Sequence, residues 1–214
     1  MDDTRTARIL VIGRSPSVIL DAADILRGRG FRADATNQFD QVLTDYDVTT
    51  LDIVVFGGMV PPQTKQHLRE AISERNDRVT FVQGLAGIAG LIAAQVEGVT
   101  SAGAGDDSAS YDPATRTLQL VLRAPARVVV DAWWATSFTP PEPASTSMRV
   151  VDALLDAGEH AVAVPGEVPT VASFVTVAVG PAVHAFTVGA IPPSVTRLAP
   201  ATLPAVEAVA THRG

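Results

Sequence analysis

The residues best suited to bind a ligand follow two short apolar runs in this sequence. Gly13-Arg14-Ser15-Pro16 ends the first run, where a helix is predicted to begin. A helix N-terminus presents free N–H groups and a partial positive charge, and an arginine beside it adds a salt bridge to an anion. The alternative is a plain strand-to-helix turn, in which the Ser15 hydroxyl caps the helix and Pro16 occupies its first position.

A second glycine pair, Gly57-Gly58, follows the apolar run Ile53–Phe56. Two adjacent glycines let a ligand approach the backbone, or they permit a tight turn with positive φ. Gln83 ends a further apolar run and can line the same crevice. The occupant that suits this crevice is a nucleotide or another phosphate-containing ligand. The candidate ligand-binding residues are Gly13, Arg14, Ser15, Gly57, Gly58 and Gln83; no catalytic residue and no cofactor is predicted.

Other catalytic and metal-binding chemistries lack the residues that they need. The sequence contains no cysteine, which excludes disulfides, thiolate metal sites and cysteine nucleophiles. Ser15 and Val18 stand where the dinucleotide-binding motif requires glycine. Ser173 lacks the glycines of a hydrolase nucleophile elbow. No metal is predicted, because the histidines do not have zinc-site spacing; they are His67, His160, His184 and His212.

The charge of the chain argues against two classes of partner. The formal net charge is −7, so the surface repels the phosphates of nucleic acids and of anionic membranes. No apolar run approaches the ~18 residues that span a bilayer, and the first residues lack the pattern of a secretory signal. We therefore expect no nucleic-acid partner, no membrane and a cytoplasmic location. The residue usage, with Lys65 as the only lysine, is typical of GC-rich bacterial genomes.

The elements that must position the candidate site alternate between strand and helix over residues 1–99. This alternation predicts a doubly wound parallel sheet of four strands in the order 2-1-3-4, with right-handed crossovers. Ligands of such sheets bind at the carboxyl ends of the strands, here between the loops after strands 1 and 3. The predicted strands are Arg8–Gly13, Phe31–Thr36, Ile53–Phe56 and Val79–Val82, and the predicted helices are Pro16–Gly28, Asn37–Asp45, Pro61–Asn76 and Leu85–Val99.

The second half of the chain changes to the pattern of an all-β domain. Residues 100–109 are predicted as a linker, residues 110–190 as a β-sandwich and residues 191–214 as a Pro-rich tail with a short helix at Leu203–Ala210. The apolar stretch Val150–Asp156 is compatible with a strand or a short helix. The predicted strands are Leu118–Leu122, Arg127–Thr136, His160–Val164, Ser173–Val179 and Val183–Val188, the last two joined as a hairpin at Gly180-Pro181.

Adjacent tryptophans mark the longest predicted strand of this domain. Trp133 and Trp134 point to opposite faces if both lie in one strand. One of them fills the core, and the other needs a cover, either from packing within the protein or from a binding partner.

Residues 8–99 resemble a receiver domain of two-component signalling, in element order and in the stretch LDIVVFGGMVPP at residues 51–62. The resemblance implies an acidic pair after strand 1, where this chain has Gly13, Arg14 and Ser15. It implies a phosphorylated aspartate at position 57, where this chain has Gly57. It also implies a Ser or Thr at the end of strand 4, where this chain has Gln83-Gly84. The lysine after a fifth strand has no counterpart. Because phosphoryl transfer needs a carboxylate nucleophile and carboxylates for Mg²⁺, acceptance at Gly57 is excluded.

Two functions remain open at this point. The first is a non-enzymatic regulatory or interaction protein, in which a phosphate-independent receiver-like domain is joined to a β-domain that binds a protein partner or stabilises a homodimer. Strand 4 would be an exposed sheet edge, so either the β-domain covers it or two copies of the chain pair through strand or helix 4, and a homodimer is expected. The second is a protein or enzyme that binds a small molecule in the crevice after strands 1 and 3.

Overall fold

The computed structural model describes residues 6–85, 87–101, 107–137, 143–190 and 205–212. The chain divides into two compact units. The α/β unit comprises Met1–Ala93, Phe138–Pro143 and Arg197–Gly214, and the β unit comprises Ala94–Ser137 and Ala144–Thr196.

Four parallel strands form the sheet of the α/β unit in the order β2-β1-β3-β4, which confirms the predicted order. This arrangement is flavodoxin-like, with helices flanking the sheet. Short 3-10 turns occur at Phe39–Gln41 and Val48–Thr50. The other elements are β1 (Arg8–Ile12), α1 (Pro16–Gly28), β2 (Arg32–Thr36), α2 (Val42–Asp45), β3 (Ile53–Phe56), α3 (Pro62–Ser73), β4 (Thr80–Gln83) and α4 (Ala89–Thr100).

Continuous apolar sequence explains why the two central strands lie where they do. All of β3 is buried, and every residue of β1 after Arg8 is buried. Leu68 and Ile72 of α3 belong to the same core as β3. Each fully buried side chain of this size contributes about 1.5–3 kcal/mol. Packing of this core therefore holds the carboxyl ends of β1 and β3 side by side.

Seven antiparallel strands form two sheets in the β unit, in the orders β11-β10-β7-β8 and β5-β6-β9. One apolar core takes side chains from both sheets, including Leu120 of β6 and Val177 of β10, as expected of a sandwich. The predicted hairpin at Gly180-Pro181 joins β10 to β11. The strands are β5 (Ser108–Asp112), β6 (Thr117–Leu122), β7 (Ala126–Ser137), β8 (Ala144–Leu155), β9 (Gly158–Ala163), β10 (Ser173–Val179) and β11 (Ala182–Val188).

The stretch Val150–Asp156, which the sequence left open between strand and helix, belongs largely to β8. Strand pairing resolves the ambiguity, since β8 pairs with β7 along most of its length. Charges across this pair match: the Arg149 guanidinium of β8 donates to Asp131 of β7, and the Arg127 guanidinium of β7 donates to Asp152 of β8. Such exposed pairs stabilise by about 0.2–1 kcal/mol each, so backbone pairing and the core contribute more.

The two tryptophans lie on opposite faces of β7, as the alternation of a strand requires. Trp134 packs against the core between the sheets. Trp133 lies beside Phe174 of β10 on the other face, and its indole N–H donates to the Thr176 hydroxyl at 2.9 Å. Both rings are half-buried. The polar edge of Trp133 is therefore satisfied within the β unit.

The C-terminal segment, residues 205–212, is extended and pairs antiparallel with β2. The helix predicted at Leu203–Ala210 is therefore wrong over residues 205–210. Alanine-rich sequence favours a helix, but here the backbone amides of Val209 and Thr211 donate to Asn37 and Ala35 instead. Long-range pairing to a sheet edge overrides the weak local preference.

Parts of the predicted linker and tail lie outside the described residues. These are residues 102–106 of the linker, and residues 191–204 and 213–214 of the tail. Helix α4 continues to Thr100, and β5, which the sequence did not predict, begins at Ser108.

Candidate functional site

The carboxyl edge of the parallel sheet brings together the loops that follow β1, β3 and β4. The Gly57 amide donates to the Ile12 carbonyl at 2.8 Å, and the Gly84 amide donates to the Phe56 carbonyl at 2.8 Å. These bonds extend the strand pairing by one residue on each side of β3. The structure therefore places Gly13, Gly57 and Gln83 at adjacent strand ends.

Close packing explains the glycines at positions 13 and 57. A Cβ atom on Gly57 would lie 3.3 Å from the Gly13 Cα, and one on Gly13 would lie 2.6 Å from the Ile19 Cγ2. Neither residue has a φ in the left-handed region. Residues 57–60 do form a tight turn, since the Val60 amide donates to the Gly57 carbonyl at 3.3 Å, but the positive φ predicted at Gly57-Gly58 is wrong. Glycine at these two positions allows the two loops and α1 to approach one another.

Gly58 has neither of the two features that would require glycine, close packing or a left-handed backbone. It is exposed, and no atom lies within 4 Å of the place where its Cβ would be. Its φ is also outside the left-handed region. Since neither packing nor backbone geometry demands glycine there, Gly58 leaves open space beside the strand ends.

Ser15 occupies the predicted N-cap position of α1, with extended backbone (φ −77°, ψ 112°) and Pro16 following it. The Ser15 carbonyl accepts the first helical hydrogen bond, from the Ile19 amide at 3.1 Å. Its hydroxyl makes no capping bond to the helix, so that part of the prediction is wrong. The serine is buried and Arg14 is half-buried. The helix start therefore depends on Pro16 and on backbone geometry rather than on a hydroxyl cap.

A lysine that the sequence did not single out as a site residue lies against Gln83. The Gln83 amide group donates to the carbonyls of Phe56 and Gly84 at 2.8 and 3.1 Å. Its amide oxygen then accepts from the Lys65 ammonium at 3.0 Å. Because Gln83 ends β4 and Phe56 ends β3, this chain of bonds brings the ammonium to the carboxyl edge of the sheet.

Arg69 adds a second positive charge one helical turn after Lys65. Its guanidinium carbon lies 5.5 Å from the ring centroids of both Phe56 and Phe81, which is cation–π distance. Partial burial, and then the charge of Arg69, lower the pKa of Lys65. Among the residues that the structure describes, neither cation forms an ion pair with a carboxylate. The two charges are therefore uncompensated at this edge.

The single lysine was visible in the sequence, but its partner was not. Lys65 and Arg69 are four residues apart, so a shared helix face was foreseeable from spacing. The bond to Gln83 joins residues 18 positions apart on different elements. Only the packing of α3 against the sheet brings them together.

No protein-family model matches the chain, and no curated protein matches it either. Within the described ranges, no three His, Asp or Glu side chains are grouped so that they could hold a metal ion. The described helices include none with the length and apolar character needed to cross a bilayer. Geometry at the carboxyl edge is therefore the basis for assigning a function.

Proposed function

We propose that this chain is a non-enzymatic regulatory or interaction protein whose receiver-like α/β unit works without accepting a phosphoryl group. The contact between Gly57 and Gly13 carries this proposal. A phosphoryl acceptor at the end of β3 needs a carboxylate that projects from position 57. At that position even a Cβ atom would lie 3.3 Å from the Gly13 Cα. The two loops are packed together where an acceptor side chain would have to emerge.

The β unit is the part that we assign to partner binding or to a homodimer. Strand β8 is twelve residues long and pairs with β7 alone among the described strands. Its free edge presents backbone groups, and Leu154 near its end is 74% exposed. Edges of this length recruit strands from other chains unless they are protected. This edge supports an interaction role for the protein.

The phosphate-independent role is tested with a chemical phosphodonor. The chain is incubated with Mg²⁺ and a small acyl phosphate, and its intact mass is measured. We expect no phosphoryl adduct, whereas a receiver protein that retains its aspartate gains one in the same solution. An adduct on this chain would overturn the proposal. Light scattering across a concentration series tests the homodimer, which predicts a mass that rises with concentration.

A second candidate function is binding of a small phosphate-containing ligand, and the uncompensated pair Lys65 and Arg69 favours it. The open space at Gly58 gives such a ligand room at the strand ends. Lys65 is half-buried and Arg69 is exposed, and a bound anion would supply the negative charge that neither has within the described residues.

Thermal unfolding with inorganic phosphate and with nucleotides tests this second function. Binding to the folded state raises Tm, and Lys65→Met or Arg14→Ala should abolish the shift. Arg78→Ala is the matched control, because Arg78 is exposed and precedes β4, at the amino ends of the strands and away from the candidate site. A shift that survives both site variants would place the anion elsewhere.

A further inference from the structure

The outer edge of β2 holds the C-terminal segment through a threonine hydroxyl. The Thr211 Oγ1 accepts from the Ala35 amide at 2.9 Å and from the Arg27 guanidinium at 3.3 Å, and it donates to the Asp34 carboxylate at 3.0 Å. A hydroxyl has one donor and two acceptor sites, so all three are used. The edge is shaped for a hydroxyl at this position.

The residues that surround this hydroxyl are held in place by other contacts. The Arg27 Nε donates to the Ala33 carbonyl at 2.7 Å, and its Nη1 donates to Asp24 at 2.7 Å. Its other terminal nitrogen lies 3.5 Å from Asp34, and both side chains are about one-fifth exposed. The arginine and Asp34 are therefore oriented by β2 and α1 as well as by Thr211.

A second group of hydrogen bonds holds the backbone of the segment near Val209, which lies two residues before Thr211. The Asn37 side chain accepts from the Val209 amide at 2.8 Å and donates to the Glu207 carbonyl at 2.6 Å. The Asn37 amide and the Thr36 hydroxyl both donate to the Val209 carbonyl, at 3.0 and 3.1 Å. Asn37 stands at the start of the second predicted helix, and in the structure its side chain binds this segment.

Tyr46 closes the end of the site. Its hydroxyl donates to the Thr211 carbonyl at 2.9 Å, and its ring centroid lies 4.7 Å from that of His212. The segment's own side chains contribute little burial, since Val206, Val209 and Thr211 are half-buried and the rest are exposed. Main-chain and hydroxyl contacts therefore account for the recognition, which is the pattern of a peptide added to a sheet edge.

We propose that the β2 edge is a strand-accepting site for an extended peptide that carries a threonine or serine at the position of Thr211, and that residues 205–212 are its tethered occupant. The partner is a protein segment that presents such a strand antiparallel to β2. A tethered occupant has a high effective concentration, so a partner must outcompete it. This assignment goes beyond the proposed function, because it names a partner class that is independent of events at Gly57.

The test uses the full chain and a fluorescent peptide with the sequence of residues 205–212, AVEAVATH. Thr211→Val in the chain keeps the shape of the side chain and removes the hydroxyl, which weakens the tethered occupant. By fluorescence anisotropy, the peptide should bind the variant about tenfold more tightly than the wild-type chain. Equal or weaker binding to a variant with unchanged circular dichroism would overturn the proposal.

Matched peptides test the role of the hydroxyl in the ligand. A peptide with serine in place of the threonine should bind the variant chain nearly as well as the original. A peptide with valine there should bind about tenfold more weakly, because Asp34 and the Ala35 amide lose their partner. Binding that is indifferent to this change would contradict a hydroxyl-reading site.

A second measurement on the wild-type chain does not depend on how the variant folds. Excess unlabelled peptide is added to isotopically labelled protein and followed by NMR. We expect the Thr211 amide to move toward its position in a free peptide, while the Ala35 and Asn37 amides stay protected from exchange. If the Thr211 signal is unmoved at saturating peptide, the site does not exchange its occupant and the proposal is wrong.

Discussion

Individual glycines at the carboxyl edge have different physical reasons for being glycine. Gly13 and Gly57 allow the loops after β1 and β3 to pack against each other and against Ile19. Gly58 lies next to them in open space. In the dipeptide Gly57-Gly58, close packing therefore favours glycine at the first position, whereas the second position has room for a side chain.

Alanine substitutions separate these two positions. Gly57→Ala should lower the free energy of unfolding by about 1–3 kcal/mol, because the added methyl group overpacks against Gly13. Gly58→Ala, which adds the same methyl group in open space, should change it by less than about 0.5 kcal/mol. Urea denaturation of both variants measures the difference. Equal losses would mean that the backbone, not the contact, demands glycine at both positions.

Tyr46 provides a prediction about pH. Burial is the main cause that raises the pKa of its hydroxyl from 10.0 to about 12. The folded chain thus holds this proton more tightly than the unfolded chain does. The resulting stabilisation is complete below about pH 10 and is lost as pH rises through about 12. Loss of the proton also removes the donor to the Thr211 carbonyl.

Urea denaturation midpoints, measured about one pH unit apart between pH 9 and pH 12, report this loss of stability. The wild-type chain should lose more stability over this range than Tyr46→Phe, which has no proton to lose. The absorbance of tyrosinate gives an independent check, because the chain has two tyrosines and Tyr46→Phe removes the contribution of Tyr46. Parallel loss of stability in both proteins would contradict the assignment to Tyr46.

At the scale of elements, the end of β11 depends on a glycine with a left-handed backbone. Gly189 has a φ of 90°, and a Cβ there would collide with the backbone carbonyl of Thr170. The Ala190 amide donates to the same carbonyl at 3.2 Å, so the backbone after β11 is in close contact with the backbone at Thr170. The end of β11 therefore has little room for a side chain at position 189.

Gly189→Ala should destabilise the β unit by about 1–3 kcal/mol, from backbone strain and from the collision. Gly166→Ala is the matched control, since no atom lies within 4 Å of its Cβ position and its φ is not left-handed. Thermal unfolding of the two variants gives the comparison. A Tm for Gly189→Ala equal to that of the control would show that the strand end adjusts without cost.

At the scale of the whole molecule, charge sets which large partners are accessible. A net charge of −7 disfavours the release of counterions that drives binding to nucleic acids. We expect duplex DNA to bind more weakly than a Kd of about 10⁻⁴ M even at low salt. Fluorescence anisotropy with a labelled duplex measures this. Tighter binding that weakens with added salt would reveal a basic surface that the net charge conceals.

The order of the parallel strands was predictable from local patterns. Continuously apolar runs such as Ile53–Phe56 predict buried strands, and helical spacing between them predicts crossovers. The carboxyl edge followed from that order, which is why Gly13, Gly57 and Gln83 were expected together and lie at adjacent strand ends. The Val150–Asp156 stretch was ambiguous because its apolar residues fit both periods, and pairing with β7 decided it.

Sequence by itself determined which segments are apolar enough to be buried, and hence the sheet, its strand order and the chemistry missing at Gly57. Tertiary structure alone decided which side chains meet across the sheet and at its edges. Lys65 reaches Gln83 only because α3 packs beside β4, and Thr211 reaches Ala35 across 176 residues of chain. Hydrophobic periodicity predicts which face of a helix or strand a residue lies on. It does not predict a contact between residues so distant in sequence, because such a contact depends on how the whole chain folds.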